Sequence, residues 1–217
     1  MDNYEHEGEP GRDAIVASPP KKKPLAFHLA FLAINIIVFV FSLDATTLAV
    51  AIPVRALWYS QSIAEQLHGT TLQSFWASIS FLLAVVITQP LYTSLSDIFG
   101  RKPLLHVAFF FFAVGSLVFA LAQNMAGVIS GRVLQGLGGG GLDVLGEIIV
   151  ADMTTLKDRS IYLGIMAVPT AAGSILEPSV GALFCQFASW RWIGWVNLPC
   201  LGVAYPPGRL LPPPTTA

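Results

Sequence analysis

Five ionisable side chains, Asp44, Arg132, Asp143, Glu147 and Glu177, lie inside long apolar stretches where water cannot solvate them. An arginine at such depth costs about 3 kcal/mol on insertion scales unless it faces protein or water. Arg132 is therefore a candidate for function, the alternative being a structural cation whose stem lies in the apolar layer and whose head reaches its surface. At about 100° per residue along a helix, Gln135, Gly136, Gly139 and Asp143 fall within about 60° of Arg132, with Glu147 at the same limit. One polar stripe is expected. Arg132 and Asp143 would stand about 16 Å apart along the axis, too far to neutralise each other, so each needs another partner or water. Asp44 in an apolar layer is expensive when charged and could there take up and release a proton; its other reading is a capping or interfacial carboxylate.

Two further groups carry charge in defined spacings. Pro169, Gly173, Glu177 and Gly181 recur every four residues and so line one helix ridge. Small residues on that ridge permit tight packing, and Pro169 and Pro178 bend the helix by removing backbone bonds. A carboxylate at 177 is then protonated, finds a cation such as Arg132, or spoils the contact. In the polar segment Leu95-Ser96-Asp97-Ile98-Phe99-Gly100-Arg101-Lys102-Pro103, Asp97 and Arg101 are four apart and close enough to pair, while Gly100 permits a tight reversal between adjacent helices. Charge alone would make this an ordinary loop. No nucleophile and base, phosphate loop or zinc motif is present, and neither the four histidines nor Cys185 and Cys200 have ligand spacing, so no enzyme, metal or cofactor is expected.

The elements that must hold these residues follow from composition. Of 217 residues 54% are apolar and 12% charged, and the mean hydropathy is +0.65. A hydrocarbon core about 30 Å thick is crossed by about 20 helical residues, with every backbone polar group paired inside the segment. Residues 26–50, 71–94, 104–122, 127–150 and 161–187 meet that requirement, the third carrying the block Phe109 to Phe112. From Ile193 to Tyr205 a sixth span starts, and Pro206 and Pro207 are expected to end it. The fold class is all-α, a polytopic membrane helical bundle of five transmembrane helices plus an incomplete sixth. Residues 1–24 read as a disordered polar tail ending in Lys21 to Lys23, 25–205 as the bundle, and 206–217 as a proline-rich tail outside the membrane.

Orientation follows from the cations, which resist translocation. With the N-terminus cytoplasmic, Arg12, Lys21 to Lys23, Arg101, Lys102, Lys157 and Arg159 lie inside and only Arg55 and Arg191 outside. Trp190, Trp192 and Trp195 then suit the outer interface. A near-balanced formal charge of −1 gives no reason to expect nucleic acid.

The order of these residues resembles the major facilitator superfamily. The loop signature GxLxDRxGRKxxL is met by Leu95, Asp97, Gly100, Arg101, Lys102 and Leu105, with Thr93 and Ile98 replacing its first glycine and first arginine. Arg132, Gln135, Gly136, Gly138 and Gly140 resemble RxxQGxGxG of the fourth helix in proton-coupled members. Gly173, Pro178 and Gly181 resemble GxxxGPxxGG of exporters, although Glu177 and Ala182 stand where glycines belong. Leu43, Asp44 and Thr46 resemble the LDxT of the drug:proton antiporter branch, and Trp190 to Pro199 the WRWxFxxNxP common in fungi, with Gly194 in place of the aromatic.

The resemblance, over about residues 30–202, implies two six-helix halves, each of inverted three-helix repeats, with substrate bound between them; this chain supplies most of one half. It implies a proton-coupled antiporter for multidrug efflux of small amphipathic molecules or toxins, in the plasma or vacuolar membrane, with protons, substrate, lipid bilayer and a C-terminal half as partners. Asp97 and Arg101 would serve a cytoplasmic latch, Arg132 and Asp44 coupling, and Gly173, Pro178 and Gly181 a packing hinge. The other expectation is a truncated, transport-incompetent chain that acts as an interaction partner.

Overall fold

The computed structural model describes residues 25–45, 67, 70–187, 189 and 191–208, with the backbone alone at 71, 74, 177, 178, 181–187 and 206–208. Six helices run through them: α1 Leu25–Ala45, α2 Thr71–Phe99, α3 Arg101–Leu121, α4 Met125–Met153, α5 Leu156–Phe187 and α6 Arg191–Gly208. Helices α1 to α5 each contain a stretch long and apolar enough to cross a membrane. The N-terminal tail with Lys21 to Lys23, the loop with Arg55, Trp190, and residues 209–217 lie outside the described residues.

Local chemistry explains where the helices start. Thr70 and Gln73 form a reciprocal cap on α2, the Gln73 N–H donating to Thr70 Oγ1 at 3.3 Å and the Thr70 N–H to Gln73 Oε1 at 2.9 Å. Asn124 caps α4 by accepting from the Gly127 N–H at 2.7 Å. The sixth helix differs from expectation, because it continues through Pro206 and Pro207 to Gly208. Proline fixes φ near the helical value, and in a final turn its cost is confined to the bonds that its missing N–H cannot make.

Gly100 is the single residue between α2 and α3. Its φ of 83° and ψ of 161° lie where only glycine is at ease, and its N–H donates to the Ser96 carbonyl at 3.1 Å. A Cβ there would meet nothing within 4 Å, so the whole cost of Gly100→Ala is backbone strain. That substitution is expected to destabilise the full-length protein by about 1–3 kcal/mol, read as a lower thermal unfolding midpoint in detergent; an unchanged midpoint would mean that the turn relaxes freely.

Packing centres on α4. It lies against α3 and α2 along much of its length and touches α1, while α1 lies against α5 and α6, and α6 against α3. Exchanging α1 with α4, α2 with α5 and α3 with α6 maps each of these pairings onto another or onto itself, and the contact of α2 with α3 onto that of α5 with α6. The contact of α4 with α5 is the exception, having no counterpart of like extent. Such a pattern is that of an internal pseudo-two-fold repeat of three helices. In lipid there is little hydrophobic drive between helices, so close backbone approach must supply the contact energy. Gly131 and Gly138 of α4 accordingly lie against the backbone of α3 at Phe119 and Phe112, and Gly136 against that of α2 at Phe81.

Candidate functional site

At the end of the bundle where α1 finishes and α4 and α6 begin, three of these helices and α3 enclose a polar cluster. Arg132, in the third turn of α4, is fully buried, with a side-chain exposure of 0% against 1% for Asp44 of α1. Its Nη1 stands 3.1 Å from Asp44 Oδ1 and donates to the Asp44 carbonyl at 3.3 Å. The guanidinium carbon lies 4.6 Å from the ring centroid of Phe119 and 5.8 Å from that of Phe81. A cation held between ring faces and a carboxylate is partly compensated for its lost hydration. The compensation is incomplete, because Arg132 Nε and Nη2 have no hydrogen-bond partner among the described residues.

Helix neighbours, rather than helix periodicity, decide the other partners. Gln135, also fully buried, donates from Nε2 to Ser116 Oγ of α3 at 2.9 Å. Asp143 accepts from Gln89 Nε2 of α2 at 2.9 Å, and Glu147 is exposed. The single stripe expected from sequence is thus divided: Arg132 and Gln135 belong to one buried cluster, and Asp143 and Glu147 to a different setting three or four turns away. The cause is that different turns of α4 abut different groups, Arg132 standing beside Asp44, Phe119 and Phe81 and Asp143 beside Gln89, so positions on one helix face do not share one environment.

The chain also ties α1 to α5 beside Asp44. Ser42 Oγ donates to the Thr170 carbonyl at 2.6 Å and lies 3.0 Å from Ser174 Oγ, while a Cβ on Gly173 would come within 2.7 Å of that of Ser42. Gly173 is therefore a point of close approach between α1 and α5. Glu177, Pro178 and Gly181 lie on α5 with their surroundings outside the described residues. The cation suggested for Glu177 is engaged elsewhere, since Arg132 pairs with Asp44.

At the opposite end the expected pair of Asp97 and Arg101 does not form. Arg101 makes an ion pair with Asp152, in the last turn of α4, and Asp97 and Ile98 are exposed. Gly100 breaks the helix between them, so the four-residue spacing no longer places the two side chains on one face. Lys102 is half-buried, and its carbonyl lies 2.7 Å from Nδ1 of His106. Sequence reasoning missed Asp152, Gln89, Ser116 and Phe119. Gln89 could have been found by the rule that singled out Arg132, being a polar group deep in an apolar run.

Among the described residues no cluster of His, Cys, Asp and Glu has metal-binding geometry. What this arrangement can do chemically is exchange a proton: a carboxylate paired with a permanent cation loses the pair when it is protonated and regains it on release.

Comparisons with known proteins agree with the fold. A sequence profile described as the Major Facilitator Superfamily matches residues 34–216. The chain is 54% identical over 196 residues to the MFS-type transporter sphD of Aspergillus fumigatus, covering 90% of this chain and 32% of that protein. It is 38% identical over 186 residues to an MFS-type efflux pump of Pseudozyma antarctica, covering 86% of this chain and 33% of that one. The chain thus spans about a third of the length of these relatives. Among solved structures, a bacterial homologue of the human lysosomal transporter Spinster, inward-facing and unoccupied, superposes with a TM-score of 0.66 at 16% identity over 90% of this chain and 45% of that one. A human organic anion transporter gives 0.60 at 20% identity over 88% of this chain and 49% of its own.

Proposed function

The chain belongs to the Major Facilitator Superfamily, and from that premise we propose that it forms the proton-handling half of an exporter of small amphipathic molecules. It is an integral membrane protein of a transporter family, not a family of catalysts. One observation supports the finer reading: an arginine and an aspartate buried together between α1 and α4, with no solvent to make the charges cheap. Breaking a pair so placed costs about 3–5 kcal/mol, enough to bias a conformational equilibrium a hundredfold or more.

In this mechanism a proton moves onto the Asp44 carboxylate and the ion pair opens. Arg132 stays charged, held over the Phe119 ring, and helix α1 is freed to shift against α4 once the carboxylate and the carbonyl of Asp44 let go of the guanidinium. Release of the proton to the other side restores the pair. Substrate binds between this bundle and the remainder of the longer polypeptide that the relatives possess, which supplies the facing wall. The excess of Lys and Arg around α2–α3 and α4–α5 supports a cytoplasmic position for those ends, and the plasma or vacuolar membrane is the proposed site. The match to efflux pumps favours this reading over that of a mere interaction partner.

The test is efflux of a fluorescent amphipathic cation from vesicles holding the full-length protein under an imposed pH gradient. Collapse of the gradient with a protonophore is expected to lower the initial rate about tenfold or more. A rate indifferent to the protonophore would remove the proton from the mechanism and leave only the family.

A further inference from the structure

One buried side chain beside the Asp44–Arg132 pair has no part in the mechanism so far. Asn197 of α6 is 5% exposed and its side-chain amide adjoins the Asp44 carboxyl, within reach of it, although Nδ2 meets no acceptor at full hydrogen-bond geometry among the described residues. An amide donor left unbonded inside a membrane bundle costs about 1–3 kcal/mol, so its place there needs a reason.

The way α6 is seated supplies one. Gly194, one turn before Asn197, lies so close to α3 that a Cβ would stand 2.8 Å from the Ser116 carbonyl and 3.1 Å from Cδ1 of Phe119. These two residues hold Gln135 and Arg132 respectively. The start of α6 is further fixed by Arg191, whose Nη2 donates to the Ala122 carbonyl at 2.9 Å at the end of α3. A larger residue at 194 would lift α6 off this level; glycine there sets Asn197 against Asp44. Among the described residues, Arg132 from α4 and Asn197 from α6 face Asp44, and of these Arg132 is the charged one.

We propose that Asn197 is a positioning residue of the Asp44–Arg132 site, an amide that holds the Asp44 side chain in both its charged and its protonated form while the pair opens and closes. This rests on the proton-coupled reading above. Arginine has donors only and can serve the carboxylate alone, whereas an asparagine offers Nδ2–H to the carboxylate and Oδ1 to the protonated acid. When the Arg132 pair opens, Asn197 keeps Asp44 oriented, so that it does not turn toward lipid or lose its place in the cycle. A donor to the charged form is the stronger of the two contacts, and so the amide also sets the pH at which the site loads.

The experiment compares the pH profile of proton-driven efflux by the full-length protein with that of its Asn197→Leu variant, which keeps the branching of the side chain and discards the hydrogen bonds. The expected result is a maximal rate lowered about tenfold, little change in substrate KM, and a profile displaced toward higher pH by about half a unit or more. Asn197→Gln should restore the position of the profile. An Asn197→Leu profile that keeps the wild-type position, whatever its height, overturns the proposal and leaves the proton-coupled reading standing. A wild-type profile with no pH dependence overturns both. Should Asn197→Leu fail to reach the membrane, Asn197→Ala and Asn197→Ser take its place, the serine retaining a donor and an acceptor; equal displacement by both overturns the assignment of the amide.

Discussion

Arg132→Ala in the full-length protein is expected to abolish proton-driven efflux, by a hundredfold or more, and to lower stability by about 3–5 kcal/mol. Both effects have one origin. Removing the guanidinium leaves Asp44 buried at 1% side-chain exposure, opens space between the Phe119 and Phe81 rings, and takes away the charge that Asp44 repays when it loses its proton. Thermal unfolding in detergent reads the first consequence and vesicle efflux the second. The informative variant is the double replacement Arg132→Met with Asp44→Leu. Replacing both members of a buried pair by apolar groups of like volume is often neutral or better for stability, so the double variant should recover to within about 1 kcal/mol of the parent. Efflux should stay lost. Recovery of both would make the pair a structural strut, and recovery of neither would show that packing around Asp44, rather than charge, governs the site. Arg132→Lys keeps the charge but not the planar face on Phe119, and an intermediate rate is expected of it.

The helices were legible because lipid imposes so strict a rule: about 20 apolar residues with internally paired backbone leave little choice of element. All five expected spans are present with ends shifted by a few residues, as with α4, expected over 127–150 and found over Met125–Met153. The costly residues were legible by the same rule, and Arg132 and Asp44 do meet across 88 positions of sequence. Partner choice was less so. Periodicity places a side chain on a face of its own helix and says nothing of which helix abuts that face. For that reason Asp143 went to Gln89, Gln135 to Ser116, and Arg101 to Asp152 rather than Asp97. The Asn197 motif was visible too, but its meaning depended on how near Gly194 allows α6 to come to α3.

The second large effect concerns the backbone rather than charge. A Cβ on Gly138 would lie 2.6 Å from the Ala108 carbonyl oxygen and nearer still to the backbone nitrogen of Phe112, and neither belongs to a flexible side chain that could turn aside. Helices α3 and α4 must separate to admit it, and with them go the neighbouring contacts of Gly131 on Phe119 and of Gly115 on Gln135. Gly138→Ala is expected to cost about 3 kcal/mol, at the upper end for overpacking, and Gly138→Leu to leave no folded full-length protein in detergent. Gly202 of α6 is the matched control, because a Cβ there meets nothing within 4 Å. Gly202→Ala should gain up to about 1 kcal/mol from helix propensity alone. Opposite signs for one chemical change at two glycines would establish that helix contact, not loss of glycine flexibility, is what the α4 glycines serve. Equal and small effects would mean that α3 and α4 are held less closely, in which case Phe119 could no longer be placed over the guanidinium and the environment assigned to Arg132 would fail with it.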